Sequence, residues 1–296
     1  MTVRSTTIRK SLGQRVFNAF NYLFFLLFAF LTLYPFWYTL IASLVPFTYF
    51  ASHPLLLWPQ MLTFSAYEAL FKTSVIMDAY RVTVFTTVVG TACSLVMTSM
   101  AAFILSEKEF PMRGVIMTII LITMMFGGGL IPYYLALKSY GLINSVFVYI
   151  IPSAINTFYM IILKTHFQSI PSELKDAARI DGCNDVKILV RIFIPVSLPT
   201  LATLTLFYAV DRWNDLYTAI MFINDNNKYT LQAVLFNLIR KASSNTNTAG
   251  GNLHATVANE QVKFAAIMAA TIPILIVYPF LQKYFVKGVM IGSIKG

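Results

Sequence analysis

Charge is what this sequence has least of. Only 11% of its 296 residues are charged, where a soluble domain carries about 25%. Hydrophobic residues make up 57% and the mean hydropathy is +0.69, a balance that excludes a water-soluble globule and leaves an integral membrane protein. Cysteine is nearly absent: Cys93 falls in an apolar run and Cys183 beside a short charged stretch. Neither a disulfide nor a thiolate metal site is expected from that pair. His53, His166 and His254 are scattered, with no metal-cluster or catalytic-triad spacing. No Gly-x4-Gly-Lys-Ser/Thr phosphate loop occurs, so the chain is not expected to bind ATP itself. These absences argue against an enzyme and leave no cofactor to expect in this chain.

Acidic residues are scarcer than basic ones, 12 against 22, for a net charge of +10. In a soluble protein that excess would suggest nucleic acid. Here the cations flank apolar runs, so they read as topology determinants facing anionic membrane lipid, with no nucleic-acid partner. Arg9, Lys10 and Arg15 lead into an apolar run from Val16 to Val45. That run far exceeds the roughly 7–15 apolar residues of a signal peptide, so an uncleaved membrane helix is expected.

What is present in quantity is long charge-poor sequence. Six helical spans are predicted near Phe20–Leu44, Val82–Ser106, Val115–Leu137, Val146–Leu163, Val196–Ala219 and Phe264–Tyr284, each close to the roughly 20 residues that cross about 30 Å of hydrocarbon. Barrel strands are excluded because the runs are long and lack alternation. With both termini on one side, fourteen Lys and Arg fall there and eight on the other, so both termini are expected in the cytoplasm. The expected organisation is a basic segment at 1–15 and one six-helix domain over 16–296. That domain has a loop at 165–195, an external loop at 222–262 and a cytoplasmic tail at 285–296.

Between the fourth and fifth runs lies Pro171-Ser172-Glu173-Leu174-Lys175-Asp176-Ala177-Ala178-Arg179-Ile180-Asp181-Gly182. Pro171 suits a first helical turn, Glu173 the positive helix start, and Gly182 a left-handed stop. Leu174, Ala177, Ala178 and Asp181 share one face by spacing, with Lys175 on another. The small alanines would let another protein approach the backbone closely. Either a partner-binding helix or an amphipathic helix lying on the lipid interface satisfies that spacing.

The pattern Asp176-Ala177-Ala178, three residues, Gly182, nine residues, Ile192, one residue, Ile194-Pro195 resembles the EAA loop of ABC importer permeases, with Asp for Glu and Ile for Leu. Gly127–Pro132, Gly141–Asn144, Trp213-Asn214-Asp215 and the tail Lys287–Gly296 resemble its carbohydrate branch, the maltose-permease-like, binding-protein-dependent subset. The resemblance implies the type I importer architecture in a bacterial inner membrane: a heterodimer with a second permease, two ATPase subunits carrying ATP and Mg, and an extracytoplasmic substrate-binding protein delivering an oligosaccharide. It also implies that Glu173, Asp176, Ala177, Ala178, Asp181 and Gly182 form the coupling helix seated on an ATPase. Ser243–Gln261 would then reach the binding protein, and Gly288–Gly296 would lie near the ATPases.

A sugar path needs aromatic faces and hydrogen-bonding groups together. Tyr133 and Tyr134 beside the Gly127–Gly129 run, Asn156, Tyr159, Tyr208 and Asp211 are the candidates. The glycines would either bend the third span or allow tight helix packing. Tyr208, Asp211 and Asp215 share a helical face, and Arg212–Asp215 is a possible i, i+3 pair. Trp213 and Tyr217 read first as interface anchors. Two acidic groups on one wall favour a neutral cargo, with uronates open if Arg212 or a partner compensates. An ion- or proton-coupled secondary transporter is the alternative class, although neither internal repeats nor a clear ionisable relay is visible.

Overall fold

The computed structural model describes residues 11–46, 49, 58–59, 61–245, 261–277 and 279. All regular structure among them is helical. Helix α1 (Leu12–Leu44) begins at a capping box: Ser11 accepts from the Gln14 backbone and the Gln14 side chain returns to Ser11. It therefore starts inside the segment assigned to a separate terminus. After α2 (Ser65–Lys72) comes α3 (Ser74–Ser106). Both α1 and α3 have 33 residues, about 50 Å at 1.5 Å per residue, more than enough to cross a bilayer.

The six predicted spans are not six continuous helices. The third divides into α4 (Arg113–Met125) and α5 (Leu130–Ser139), bent by 117°. Gly129 has φ +83 at the break, and a Cβ at any of Gly127, Gly128 or Gly129 would meet nothing within 4 Å. The run is thus the site of the bend, and among the described residues of this chain no neighbour packs closely against its glycines. The fourth span is a 3-10 turn at Val146–Tyr149, a non-helical stretch, then α6 (Thr157–Gln168) capped by Asn156. Pro152 and Asn156 explain the interruption: proline removes a donor, and an Asn side chain at an N-cap satisfies the free amides of a new helix.

Helix α7 (Ser172–Ile180) follows, then α8 (Asp185–Val196), which meets α9 (Leu198–Trp213) at 87°. Within α8, Leu189–Phe193 widens to a π turn. Pro195 lacks the N–H that an α-helix would direct to the Arg191 carbonyl, which favours that widening. The predicted fifth span ends early at Trp213, and α10 (Tyr217–Phe222) restarts beyond Asn214-Asp215. Helix α11 (Leu231–Asn245) and α12 (Gln261–Val277) complete the described chain. Residues 246–260 of the external loop, the end of the predicted sixth span and the tail from 285 lie outside the described residues.

Helix α3 is the axis. Its middle packs on α9 and α6. Near its start, Ile76 and Ala79 join Leu231, Val234, Ala265, Ala266 and Ala269. Near its end, Ala102, Phe103 and Leu105 join Leu163, Phe167, Ala178, Ile188 and Phe193. Helix α1 stands apart, with only Ile41, Ala42 and Ser43 buried.

Candidate coupling surface and transmembrane polar junction

Helix α7 ends as its sequence requires. Gly182 adopts φ +75, its N–H donates to Arg179 O at 3.0 Å, and Cys183 N–H donates to Ala178 O at 2.9 Å. That pair of bonds is the Schellman arrangement, which a residue with a side chain adopts only at a steric cost. Asn184 then caps α8 through Lys187 N–H at 2.9 Å, and Arg179 pairs with Asp185 at 3.2 Å. The charged helix is thereby fixed in orientation.

Two of its residues face inward. Ala178 is 7% exposed and packs among Ile188, Phe193 and Phe167, so it lies against this chain's own core and departs from the expected outward placement. Lys175, expected on another face, is buried beside it and pairs with Glu107 at the end of α3. A partly desolvated ammonium needs a counter-charge, and Glu107 supplies it; the helical pattern alone carried no sign of that distant partner. Glu173, Leu174, Asp176, Ala177, Ile180 and Asp181 remain exposed. Ile180, at 86%, is the most exposed apolar side chain of the loop, and sequence reasoning passed over it. An isoleucine one turn after Asp176 on a polar helix was the available signal.

The second site sits where α3, α6 and α9 meet. The interruption at 150–156 leaves backbone carbonyls without helical partners, which is costly in hydrocarbon. Arg212, 6% exposed, answers them. Its guanidinium donates to Tyr149 O, to Ser153 O at 3.1 Å, to Ser153 Oγ at 3.3 Å and to Ser94 Oγ at 2.7 Å. Gly90 makes the room: a Cβ there would come within 2.7 Å of Arg212 Cζ and Nε. The proposed Arg212–Asp215 pair is thus corrected. Arg212 holds the broken segment, while Asp215, beyond the end of α9, accepts from Thr218 N–H at 3.0 Å at the start of α10.

Four of the six path candidates converge here. Tyr208, only 3% exposed, shares a 2.7 Å hydrogen bond with Thr98 and accepts from Asn156 N–H at 3.0 Å. Asn156 Oδ1 accepts from Phe158 N–H and Tyr159 N–H. Both residues are therefore committed to tying α3, α6 and α9 together. Tyr159 and Asp211 are different. The phenol donates to Asp211 Oδ2 at 2.8 Å, Asp211 is exposed, and the Tyr159 ring lies edge-on to Tyr208 at 4.9 Å. The pair reaches the surface through the Asp211 carboxylate, with the half-buried Tyr159 ring behind it, packed against Phe207 and Tyr208. Tyr133 and Tyr134 lie elsewhere, against Phe222 at 5.6 and 6.2 Å. Trp213 donates to Ala270 O at 3.1 Å, joining α9 to α12. Among the described residues no group of His, Cys, Asp or Glu is arranged to hold a metal.

Among the described residues the chain is helical, with interrupted apolar runs, a buried arginine that ties a broken segment to two helices and an outward charged helix, an architecture suited to a transport permease. Over residues 2–291 the chain matches, and it belongs to, the family of binding-protein-dependent transport system inner membrane components. It is 41% identical to a polygalacturonan/rhamnogalacturonan transport system permease of Bacillus subtilis, covering 96% of this chain and 99% of that protein. To protein LplC of the same organism it is 40% identical, covering 98% of each. The crystal structure of a bacterial ABC transporter that imports the acidic polysaccharide alginate contains a chain of the same fold, with TM-score 0.85 and 33% identity over 94% of this chain and all of that one.

Proposed function

We propose that this chain is the transmembrane permease subunit of an ATP-driven, binding-protein-dependent oligosaccharide importer. It forms half of the translocation path in a heterodimer with a second permease. Two ATPase subunits seat against α7, and the binding protein approaches the opposite face, near 222–262. The observation that carries the coupling reading is the outward face of Glu173, Leu174, Asp176, Ala177, Ile180 and Asp181, locked by the Gly182 turn in a chain of this family. Both termini then lie in the cytoplasm. ATP-driven movement of the ATPases would rock α7 and, through Lys175–Glu107, the end of α3: a rigid-body switch.

The names of two relatives favour an acidic cargo, since polygalacturonan and alginate are both uronate polymers. Asp211 would repel such a cargo unless the second permease contributes cations, so the charge of the sugar becomes the deciding measurement. Purified importer with its binding protein, challenged with uronate and neutral oligosaccharides, is expected to hydrolyse ATP faster only with the uronates. Stimulation by neutral sugars alone would reverse the charge assignment.

A further inference from the structure

Three cations on the α7 side of the molecule are left unused by coupling and by transport. Lys108, Arg113 and Lys164 line one shallow cavity of about 590 Å³, together with Phe110, Met112, Gly114, Val115 and Met117. Its place relative to α7 follows from the sequence: Lys108 is the neighbour of Glu107, which pairs with Lys175. None of the three forms an ion pair with a described carboxylate. Glu107 is taken by Lys175, and Glu109, exposed in the same loop, does not line the cavity. The Arg113 guanidinium makes one hydrogen bond, to the Glu107 carbonyl at 3.4 Å, and its charge acts on Lys164. Clustering like charges around one hollow costs energy unless an anion occupies it.

The walls indicate which anion. Helix α4 leaves this cavity as an apolar rod with no buried residue: Val115, Ile119, Ile122 and Met125 are all at least 50% exposed. A free phosphate would use the cations and ignore that rod. A glycerophospholipid would use both, with its phosphate among the cations and an acyl chain along α4. Basic pockets at the ends of membrane helices serve anionic headgroups in this way.

We propose that Lys108, Arg113 and Lys164 form a binding site for the headgroup of an anionic phospholipid, whose acyl chain lies against α4. The test uses the full chain, with the subunits that copurify with it, in phosphatidylcholine nanodiscs carrying a photoactivatable phosphatidylglycerol or a photoactivatable phosphatidylcholine. The phosphatidylglycerol probe is expected to label peptides covering 108–125, several-fold above the phosphatidylcholine probe. At about fivefold in affinity per cation near the surface, Lys108→Gln should weaken labelling about fivefold and Lys108→Gln/Lys164→Gln by a further factor of similar size. Lys108 is exposed and off the core, so the single variant keeps the test valid if the double one fails to assemble. Glycerol phosphate at millimolar concentration should compete weakly; full displacement by it would make the site one for soluble phosphate and overturn the lipid assignment. Equal labelling by both probes, or wild-type labelling in Lys108→Gln, would also overturn it. So would copurification of another subunit whose acidic side chain crosslinks to Lys108 in place of lipid.

Discussion

Arg212 illustrates how one residue can make a broken membrane segment tolerable. It satisfies the freed carbonyls of Tyr149 and Ser153 and reaches Ser94 on α3, so three chain segments share one guanidinium. Gly90→Ala should therefore do more than add a methyl group. Its Cβ would displace Arg212, and the strain and broken bonds should cost about 1–3 kcal/mol, read as a lower melting temperature in detergent. An unchanged melting temperature would show that Arg212 has another place to go. Tyr159 tests a different property. Tyr159→Phe keeps the ring and removes only the hydroxyl that donates to Asp211. Uptake is expected to fall several-fold while melting temperature and basal ATP hydrolysis hold, and wild-type uptake kinetics would take this residue off the path. Asn156 suits that test poorly, because its truncation also removes an N-cap worth about 1 kcal/mol.

Among the elements, α7 is the one whose form follows most directly from its own residues and whose seating does not. The turn at Gly182 was readable because a positive φ favours glycine. Gly182→Leu forces a left-handed conformation costing about 1–2 kcal/mol. It should leave the protein in the membrane and abolish binding-protein-stimulated ATP hydrolysis, and full stimulation in that variant would remove α7 as the coupling element. The inward face could not be read the same way. Lys175 is buried because Glu107, 68 residues earlier, comes to meet it. Lys175→Met should loosen the grip of α7 on α3, lowering stimulated hydrolysis more than basal hydrolysis, and Lys175→Arg should restore most of it. Equal loss in both variants would assign the position to packing alone.

At the scale of the whole molecule, the chain belongs to a family of binding-protein-dependent transport components. In α1, Phe17, Phe20, Leu23, Leu27 and Leu31 are all exposed, an apolar face that either lipid or a second subunit can cover. Affinity purification of the full chain from a gently solubilised membrane is expected to bring down a second permease and an ATPase, identified by mass spectrometry. Recovery of this chain alone under conditions that keep other ABC importers intact would count against a stable complex with those subunits.

Composition and pattern by themselves determined the solvent, the helical class and the α7 turn, because hydropathy, runs of apolar residues and a glycine stop are local properties. The residues of the EAA-like loop also point to the family by their spacing alone. What only the tertiary structure decided was which apolar runs stay continuous and which polar residues are already occupied. Val115–Leu137 and Val146–Leu163 have the length and hydropathy of spans, yet one bends at Gly129 and the other opens into turns before Asn156. Hydropathy averages over a window and does not register a break whose carbonyls are rescued from another helix. Likewise Tyr208 and Tyr159 are the same residue type on adjoining helices, but one is sealed by Thr98 and Asn156 while the other is half-buried and donates to the exposed Asp211. That distinction depends on hydrogen bonds between residues 52 and 110 positions apart, which no local pattern encodes.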